Sequence, residues 1–521
     1  MKAVVAGALL FAAFIAYSLV QSPVPGVNEP QYLGKALHLV DPSFCPGDFF
    51  LDSSDPHGVF GLLCGPVAGQ FGLPAAALFG RATGLALLAC GWTLLARRVI
   101  GSVWAAPLSG AAFLAAAAAG NLSGEWLVGG AEGKVFSYGF LLLALAWGLD
   151  RRWLLAGAAG GAAASFHPVV GVWGAACGVF AAATLAGLRR WRGEPFERPT
   201  ARTATGAAGL FLLAAAPGLW FALGALEAEP GVDVGRANFL QVYLRLPHHL
   251  DPMTFRTPAW VGFFHLTLAW VLLRRWGRRT AEEPAFALVV LGSLLLAYVG
   301  VLIGLRSGEP HEAAYPYLRA FLLKFYPFRL ADVLVPLAAS LALAGCAIRG
   351  ATTPPRIVAA AGLGVGLFAL GLWIPFYDRN PAGLSDADAA AWRSMCGWID
   401  ENLPADAIVV TPTRNHAFKW YARRAEYVCF KDCPQDPAGI HEWNRRLRLV
   451  RDWARLRWGD DATPGFDRPE LGELGVATGA GYLLTGTLEP IDVPPTHVAG
   501  PWRLYALRPD AERRRDSTPA E

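Results

Sequence analysis

Charge is what this sequence has least of. Lys, Arg, Asp and Glu make up 17% of 521 residues and fall in clusters rather than along the whole chain. Soluble globular domains carry roughly a quarter charged residues, so that class is excluded on composition. Methionine is down to three and histidine to ten. No P-loop, no GxSxG and no dinucleotide-binding fingerprint occurs, which excludes the standard phosphate cradles and nucleophile elbow. There is no internal repeat, and no low-complexity tract before the tail after Pro509. The net charge of +4 comes mostly from one arginine pattern and does not indicate nucleic acid.

What is there is apolar: 54% hydrophobic residues and a mean hydropathy of +0.35. With about 20 apolar residues per crossing, roughly eleven spans can be placed. They lie near 3–20, 75–96, 102–119, 134–149, 152–166, 168–187, 205–225, 258–274, 285–304, 330–348 and 356–376. The first also has the form of a cleaved signal peptide, apolar throughout behind Lys2. Arginine punctuates the inner turns, as Arg97-Arg98, Arg151-Arg152, Arg189-Arg190-Arg192, the run Arg274 to Arg279, and Arg349 with Arg356. Short basic loops stay on the cytoplasmic side. The expected topology therefore has an inner N-terminus, outer loops at 21–58, 120–133, 226–257 and 305–329, and an outer C-terminal part.

Near Asp378 the apolar runs shorten to four to six residues, the texture of a soluble domain. The chain thus divides into a membrane domain, 1–377, an outer α/β domain, 378–509, and a disordered tail, 510–521. In the second, 385–402 and 437–458 read as helices, and AIVVT, EYVCF, YLLT and WRLYAL as strands. Of the eight cysteines, Cys90, Cys177 and Cys346 fill spans, while Cys396, Cys429 and Cys433 lie outside and are candidates for a bridge of undetermined pairing.

The histidines and many carboxylates share one level at the outer surface. Glu29 follows the first span beside Tyr32 and a short amphipathic helix, suiting either a general base near the headgroups or a helix cap. DFFLDSSDPH supplies Asp48, Asp52, Asp55 and His57, which read as a hard-cation site for Mg or Mn or as turn formers. Glu132 and Lys134 stand at the entry of a span among glycines. Two residues apart on a helix they would not face each other, so an ion pair between them is not expected. His167 interrupts an apolar hairpin at its outer turn, Arg81 sits near the outer end of the second span, and His248 lies in an outer loop. The outer segment PYLRAFLLKFYPFR breaks the charge rule with Arg319, Lys324 and Arg329 among aromatics, a combination suited to a lipid phosphate.

An inner N-terminus, a first outer loop with the motif NEPQY, about eleven spans and an outer α/β domain resemble the GT-C superfamily of membrane glycosyltransferases. The segments NEPQYLGKA, AEGKVFSYGF, SFHPVVG, YPFRLADVL and FKWYARRAEYV with KDCPQD also resemble an uncharacterised bacterial polytopic membrane-protein family. GT-C enzymes place an Asp or Glu of the first outer loop as base, often in an acidic pair before Tyr. Here Glu29 and Tyr32 match, and Asn28 stands in the other acidic place. The resemblance implies a polyprenyl-phosphate sugar donor, a glycan, lipid or protein acceptor, and a bacterial inner membrane. Glu29 would be the base, assisted by Asp48 or Asp55. Arg319, Lys324 and Arg329 would hold phosphate, and Tyr32, His57, Glu132, Lys134, His167 and His248 would line the pocket. A flippase of an anionic or lipid-linked solute, or a non-catalytic scaffold, are the alternatives.

Overall fold

A computed structural model of the chain describes residues 1–119, 121–194, 199–375, 377–415, 417–458, 468–486 and 491–508. The expected tail, 510–521, lies outside the described residues. The membrane part runs through α1 (Lys2–Gln21), α2 (Glu29–Val40), α3 (Gly58–Phe71), α4 (Leu73–Ile100), α5 (Ala105–Ala119), α6 (Gly133–Leu149), α7 (Trp153–Phe166), α8 (Pro168–Trp191) and α9 (Ala201–Gly224). It continues with α10 (Val234–Leu240), α11 (Pro247–Leu250), α12 (Thr257–Trp276), α13 (Glu283–Gly304), α14 (Pro316–Leu323), α15 (Arg329–Gly350) and α16 (Pro354–Trp373). Each of the eleven expected crossings coincides with one of these helices. By length and hydropathy α1, α4, α8, α9, α13, α15 and α16 suffice to cross a bilayer. The chain is a multi-pass membrane protein.

The bundle is built around α15, whose residues Leu330 to Ala342 are buried, whereas α16 is almost wholly exposed along its apolar length and lies at the rim. Glycine permits close helix approach, as where a Cβ on Gly91 of α4 would stand 2.6 Å from the Gly139 carbonyl oxygen of α6. Small residues let backbones pack this tightly where burial of apolar surface cannot drive association. The direction of α6 separates the two ends of the bundle. It begins beside Glu132 and ends at Asp150, about 25 Å away, where Asp150 pairs with Arg98 at 2.5 Å. The arginine doublet of α4 and the outer-loop chemistry therefore occupy opposite ends.

The C-terminal part comprises α17 (Asp386–Asn402), β1 (Ile408–Val410), α18 (Phe418–Ala422), β2 (Ala425–Glu426), α19 (Pro437–Trp458), α20 (Arg468–Thr478), β3 (Tyr482–Thr485), β4 (His497–Ala499) and β5 (Trp502–Ala506). Ser385 caps α17, its hydroxyl accepting from the Asp388 amide at 3.1 Å. The sheet order is β2-β1-β3-β5-β4, parallel across β2, β1 and β3 and antiparallel across β3, β5 and β4. Of the expected strand over EYVCF only Glu426 is strand, in the edge strand β2, and its outward amide donates to Asp48 Oδ2 of the first loop at 2.9 Å. All eight cysteines are free thiols. Cys396 is a buried residue of α17, in a different cluster from Cys433.

Candidate functional site

Where the loops after α1, α5 and α9 meet the C-terminal part they enclose a cavity of about 160 Å³. Its floor is set by α15. Asp332, one turn into that helix, accepts from the Leu122 amide at 2.8 Å and from the Ser123 amide and hydroxyl, both at 2.7 Å. This fixes loop 121–132, which carries Glu125 and Glu132. Arg329, the first residue of α15, then reaches Glu125 at 3.1 Å and His167 Nε2 at 2.6 Å, and stacks 3.9 Å above the Tyr326 ring.

Lys134 completes this wall, 3.2 Å from Glu132, 3.7 Å from Glu125 and 3.8 Å over the Trp126 ring. The Glu132–Lys134 pair was not expected from helical spacing. It forms because Glu132 precedes α6 in extended conformation, φ −145° and ψ 151°, so the helix rule does not apply to it. Burial raises the Glu132 carboxyl, against Lys134 and the Asn28 amide that donates to it at 2.5 Å. Tyr32 packs edge-on against His57, and His57 lies against His167, each pair at 5.2 Å. Asp55 also lines the cavity. Its Oδ1 accepts from the His57 amide at 2.9 Å, and no ion pair reaches it among the described residues.

Burial lowers His57, His249 and His248, the last to about 4, so these rings are neutral near pH 7. The charge of the cavity then rests on five cations (Lys35, Lys134, Arg245, Arg329 and Lys431) and three carboxylates (Asp55, Glu125 and Glu132). An excess of cations in a half-enclosed space with one ring stack after another suits an anion attached to an apolar or sugar body.

Four expected site residues are elsewhere. Glu29 is fully buried in a bidentate pair with Arg81, Nε to Oε1 at 2.7 Å and Nη2 to Oε2 at 2.8 Å. The Gly26 and Ala131 amides take its remaining lone pairs. With every lone pair occupied and no path to the cavity, it locks the first loop to α4 and is not available as a base. Glu29→Gln is expected to cost about 3–5 kcal/mol by stranding Arg81, lowering the thermal midpoint, while leaving the affinity of the surviving folded protein for a phosphate ligand unchanged. Arg319 turns away to the Ile303 and Leu305 carbonyls at 2.6 and 2.8 Å, satisfying the open end of α13. Lys324 donates to Asn238 Oδ1 at 2.9 Å beside Phe321 and Phe325. Only Arg329 of the three basic residues on that segment turns inward.

Asp48 is the fourth. It lies buried under the sheet domain, where Lys419 Nζ stands 3.5 Å from it, 3.1 Å from Glu426 and 2.6 Å from Asp432. Burial opposes the ammonium charge, yet Asp432, Asp48 and Glu426 together hold Lys419 well above its ordinary value. Glu426, Cys429 and Asp432 also bring three potential metal-ligand atoms within 4.8 Å of one another, and the Lys419 ammonium contacts both carboxylates of that group. The divalent-cation reading of Asp48, Asp52 and Asp55 finds no shared centre: Asp52 pairs with His38 at 3.0 Å and Asp55 faces the cavity. Burial raises Glu426 from 4.5 to about 7. The folded state thus binds a proton that the unfolded chain releases above pH 4.5, and stability should fall as pH rises from about 4.5 to about 7. Thermal unfolding across that range should show a slope that Glu426→Gln flattens.

The residues not anticipated are Arg245, from a π-helical turn at Gln241–Arg245, and Lys431 of the sheet domain. Both could have been suspected. Arg245 lies beside the paired histidines in QVYLRLPHHL, and Lys431 opens the KDCPQD segment. Irregular helical turns of this kind recur at functional sites.

With the geometry in hand, solved structures can be compared. ArnT from Cupriavidus metallidurans bound to undecaprenyl phosphate superposes over 98% of this chain and 98% of its own, with a TM-score of 0.54 at 13% identity. The chain has a GT-C-like fold. The apo form of the same protein scores 0.41 at 13% identity over 98% of both chains. The archaeal oligosaccharyltransferase AglB from Archaeoglobus fulgidus, in complex with an inhibitory peptide and a dolichol-phosphate, scores 0.43 at 12% identity over 92% of this chain and 69% of its own. A family model described as a domain of unknown function (DUF6798) matches residues 390–450, from α17 into α19. No curated protein sequence matches the chain. Within the GT-C-like fold, the cavity lies at the end of the bundle that carries the large loops and the added sheet.

Proposed function

We propose that this protein is a membrane glycosyltransferase of GT-C type, which takes a sugar from a polyprenyl-phosphate carrier at the extracytoplasmic face of a bacterial inner membrane. The observation that carries the reading is the cation-rich cavity at one end of a bundle whose fold is shared with ArnT, a protein crystallised with undecaprenyl phosphate. Arg329 and Lys134 hold the phosphoryl group. Both are pre-positioned by Glu125, which spares the reaction the reorganisation that free side chains would require. Tyr32, His57, His167 and His248 line the sugar and acceptor space.

Asp55 is the base, because Glu125 and Glu132 are committed to cations while Asp55 is not. It takes the proton of an acceptor hydroxyl on a glycan, lipid or protein. The hydroxyl oxygen bonds to the anomeric carbon with inversion as the bond from that carbon to the phosphate oxygen breaks. The phosphate leaves with the electron pair, and its charge develops against Arg329 and Lys134. No step is routed through a metal ion.

The test is binding of undecaprenyl phosphate to the full-length protein in nanodiscs, followed by native mass spectrometry. Saturable binding weakened at least tenfold by Arg329→Ala is expected, about 1.4 kcal/mol or more. Equal binding by wild type and variant would remove the phosphate site. A flippase would need a polar route through the bundle. At the opposite end Arg274 and Glu283 pair at 2.8 Å beside Trp270 and Phe286, around a space of only about 10 Å³.

A further inference from the structure

Among the described residues, Arg245 and Lys431 on the cavity wall take part in no ion pair. Arg245 comes from the π-helical turn of the membrane part and Lys431 from the sheet domain, and the two are joined through backbone. Arg245 Nη2 donates to the Lys431 carbonyl at 2.6 Å, and Gln31 Nε2 donates to the same oxygen at 3.2 Å. The backbone of residue 431 is thereby pinned from both sides, and its side chain faces the cavity. Arg245 also lies 5.5 Å from the Phe430 ring, and its buried Nε has no hydrogen-bond partner.

The nearby carboxylates have other contacts, Asp378 among them, whose Oδ2 accepts from the Ser22 hydroxyl at 3.4 Å. Glu125 and Glu132 serve Lys134 and Arg329, Asp432 pairs with Lys419, and Asp436 accepts from the Gly439 amide at 2.6 Å. Among the described residues no ion pair reaches Arg245 or Lys431. Burial, then the adjacent Arg245, brings Lys431 down to about 8, outweighing the opposing pull of Glu132, Asp378 and Asp432. Uncompensated charges in a partly enclosed space are costly unless something arrives to neutralise them.

We propose that Arg245 and Lys431 form a second anion subsite, which binds a carboxylate or phosphate on the substrates other than the phosphoryl group held by Arg329 and Lys134. It rests on the transferase reading for its first anion but not for its own chemistry. The reacting pair then carries two anionic groups. The second is either a further phosphate on the carrier or an acidic group on the sugar or acceptor. The region of unknown function at 390–450 acquires a task, since Lys431 is its contribution to recognition.

The full-length protein in nanodiscs is titrated with four probes: undecaprenyl phosphate, undecaprenyl diphosphate, glucuronate and glucose. Lys431→Gln is expected to leave monophosphate affinity within about twofold of wild type. It should lower affinity tenfold or more for the diphosphate, placing the second anion on the carrier, or for glucuronate but not glucose, placing it on the sugar or acceptor. Lys431→Arg should retain most of that affinity. Lys431→Met, which keeps the stem without the charge, should behave as Lys431→Gln and separates loss of charge from loss of fold. The subsite is refuted if Lys431→Gln changes no probe, or weakens all of them alike. If wild type binds neither polyprenyl probe yet selects glucuronate through Lys431, the transferase reading fails and the subsite stands.

Discussion

Replacing Asp55 by Asn should lower sugar transfer by about 10²- to 10⁴-fold, the contribution of a positioned general base. The substitution is nearly isosteric. The Asn carbonyl oxygen can still accept from the His57 amide, as Asp55 Oδ1 does at 2.9 Å, so the turn before α3 is retained. What is lost is the ability to take a proton. Because Asp55 takes part in no ion pair among the described residues, no cation is stranded, and binding of undecaprenyl phosphate should stay within about twofold. Single-turnover transfer from a lipid-linked donor, read beside that binding measurement, separates the two effects. Transfer at the wild-type rate would move the base to another cavity carboxylate, Glu125 or Glu132.

Lys419→Met should have the largest effect on stability. Three buried carboxylates share this one ammonium, at distances of 2.6, 3.1 and 3.5 Å. Removing one partner of a buried charge cluster costs about 3–5 kcal/mol, because the remaining charges keep their desolvation without their compensation. The loss falls on a particular contact. Asp48 belongs to the first loop of the membrane part, whereas Glu426 and Asp432 belong to the sheet domain. Limited proteolysis should therefore cut the variant after residue 377 far faster than wild type. Adding Asp48→Asn and Asp432→Asn to Lys419→Met should restore much of the resistance, since fewer buried charges are then left unpaired. Unchanged proteolysis of the single variant would mean that apolar contacts alone hold the domain in place.

The architecture was far more legible than the site. Hydropathy placed a helix at each expected crossing, seven of them long and apolar enough to span, since apolar length is a local property of the chain. YLLT and helix 437–458 were equally readable from pattern and run as expected, at Tyr482–Thr485 and Pro437–Trp458. The site depends on contacts between distant segments. The spacing of Glu29 suited a base, but Arg81, 52 positions away, takes both its oxygens. Arg319 and Arg329 look alike in PYLRAFLLKFYPFR. One meets the end of α13 and the other the head of the buried helix α15, a difference made by packing. Lys431 opens the quoted KDCPQD segment, but its place at the cavity depends on packing of the C-terminal part against Arg245 and Gln31, 186 and 400 positions away. The edge strand His497–Ala499 was missed for a simpler reason: its three residues are too short to show alternation.

The backbone pin at residue 431 and the shared ammonium of Lys419 have a practical meaning for modularity. A change in sequence texture near residue 378 invites cutting the chain there and treating the pieces as interchangeable parts. The pieces are not separable in that way. The front piece would present Asp48 with no cation and a cavity missing one wall, and the rear piece would carry a recognition lysine with nothing to recognise. Exchange of the sheet domain between related proteins should therefore succeed only when loop 21–58 travels with it, so the unit of inheritance is the joint rather than either body.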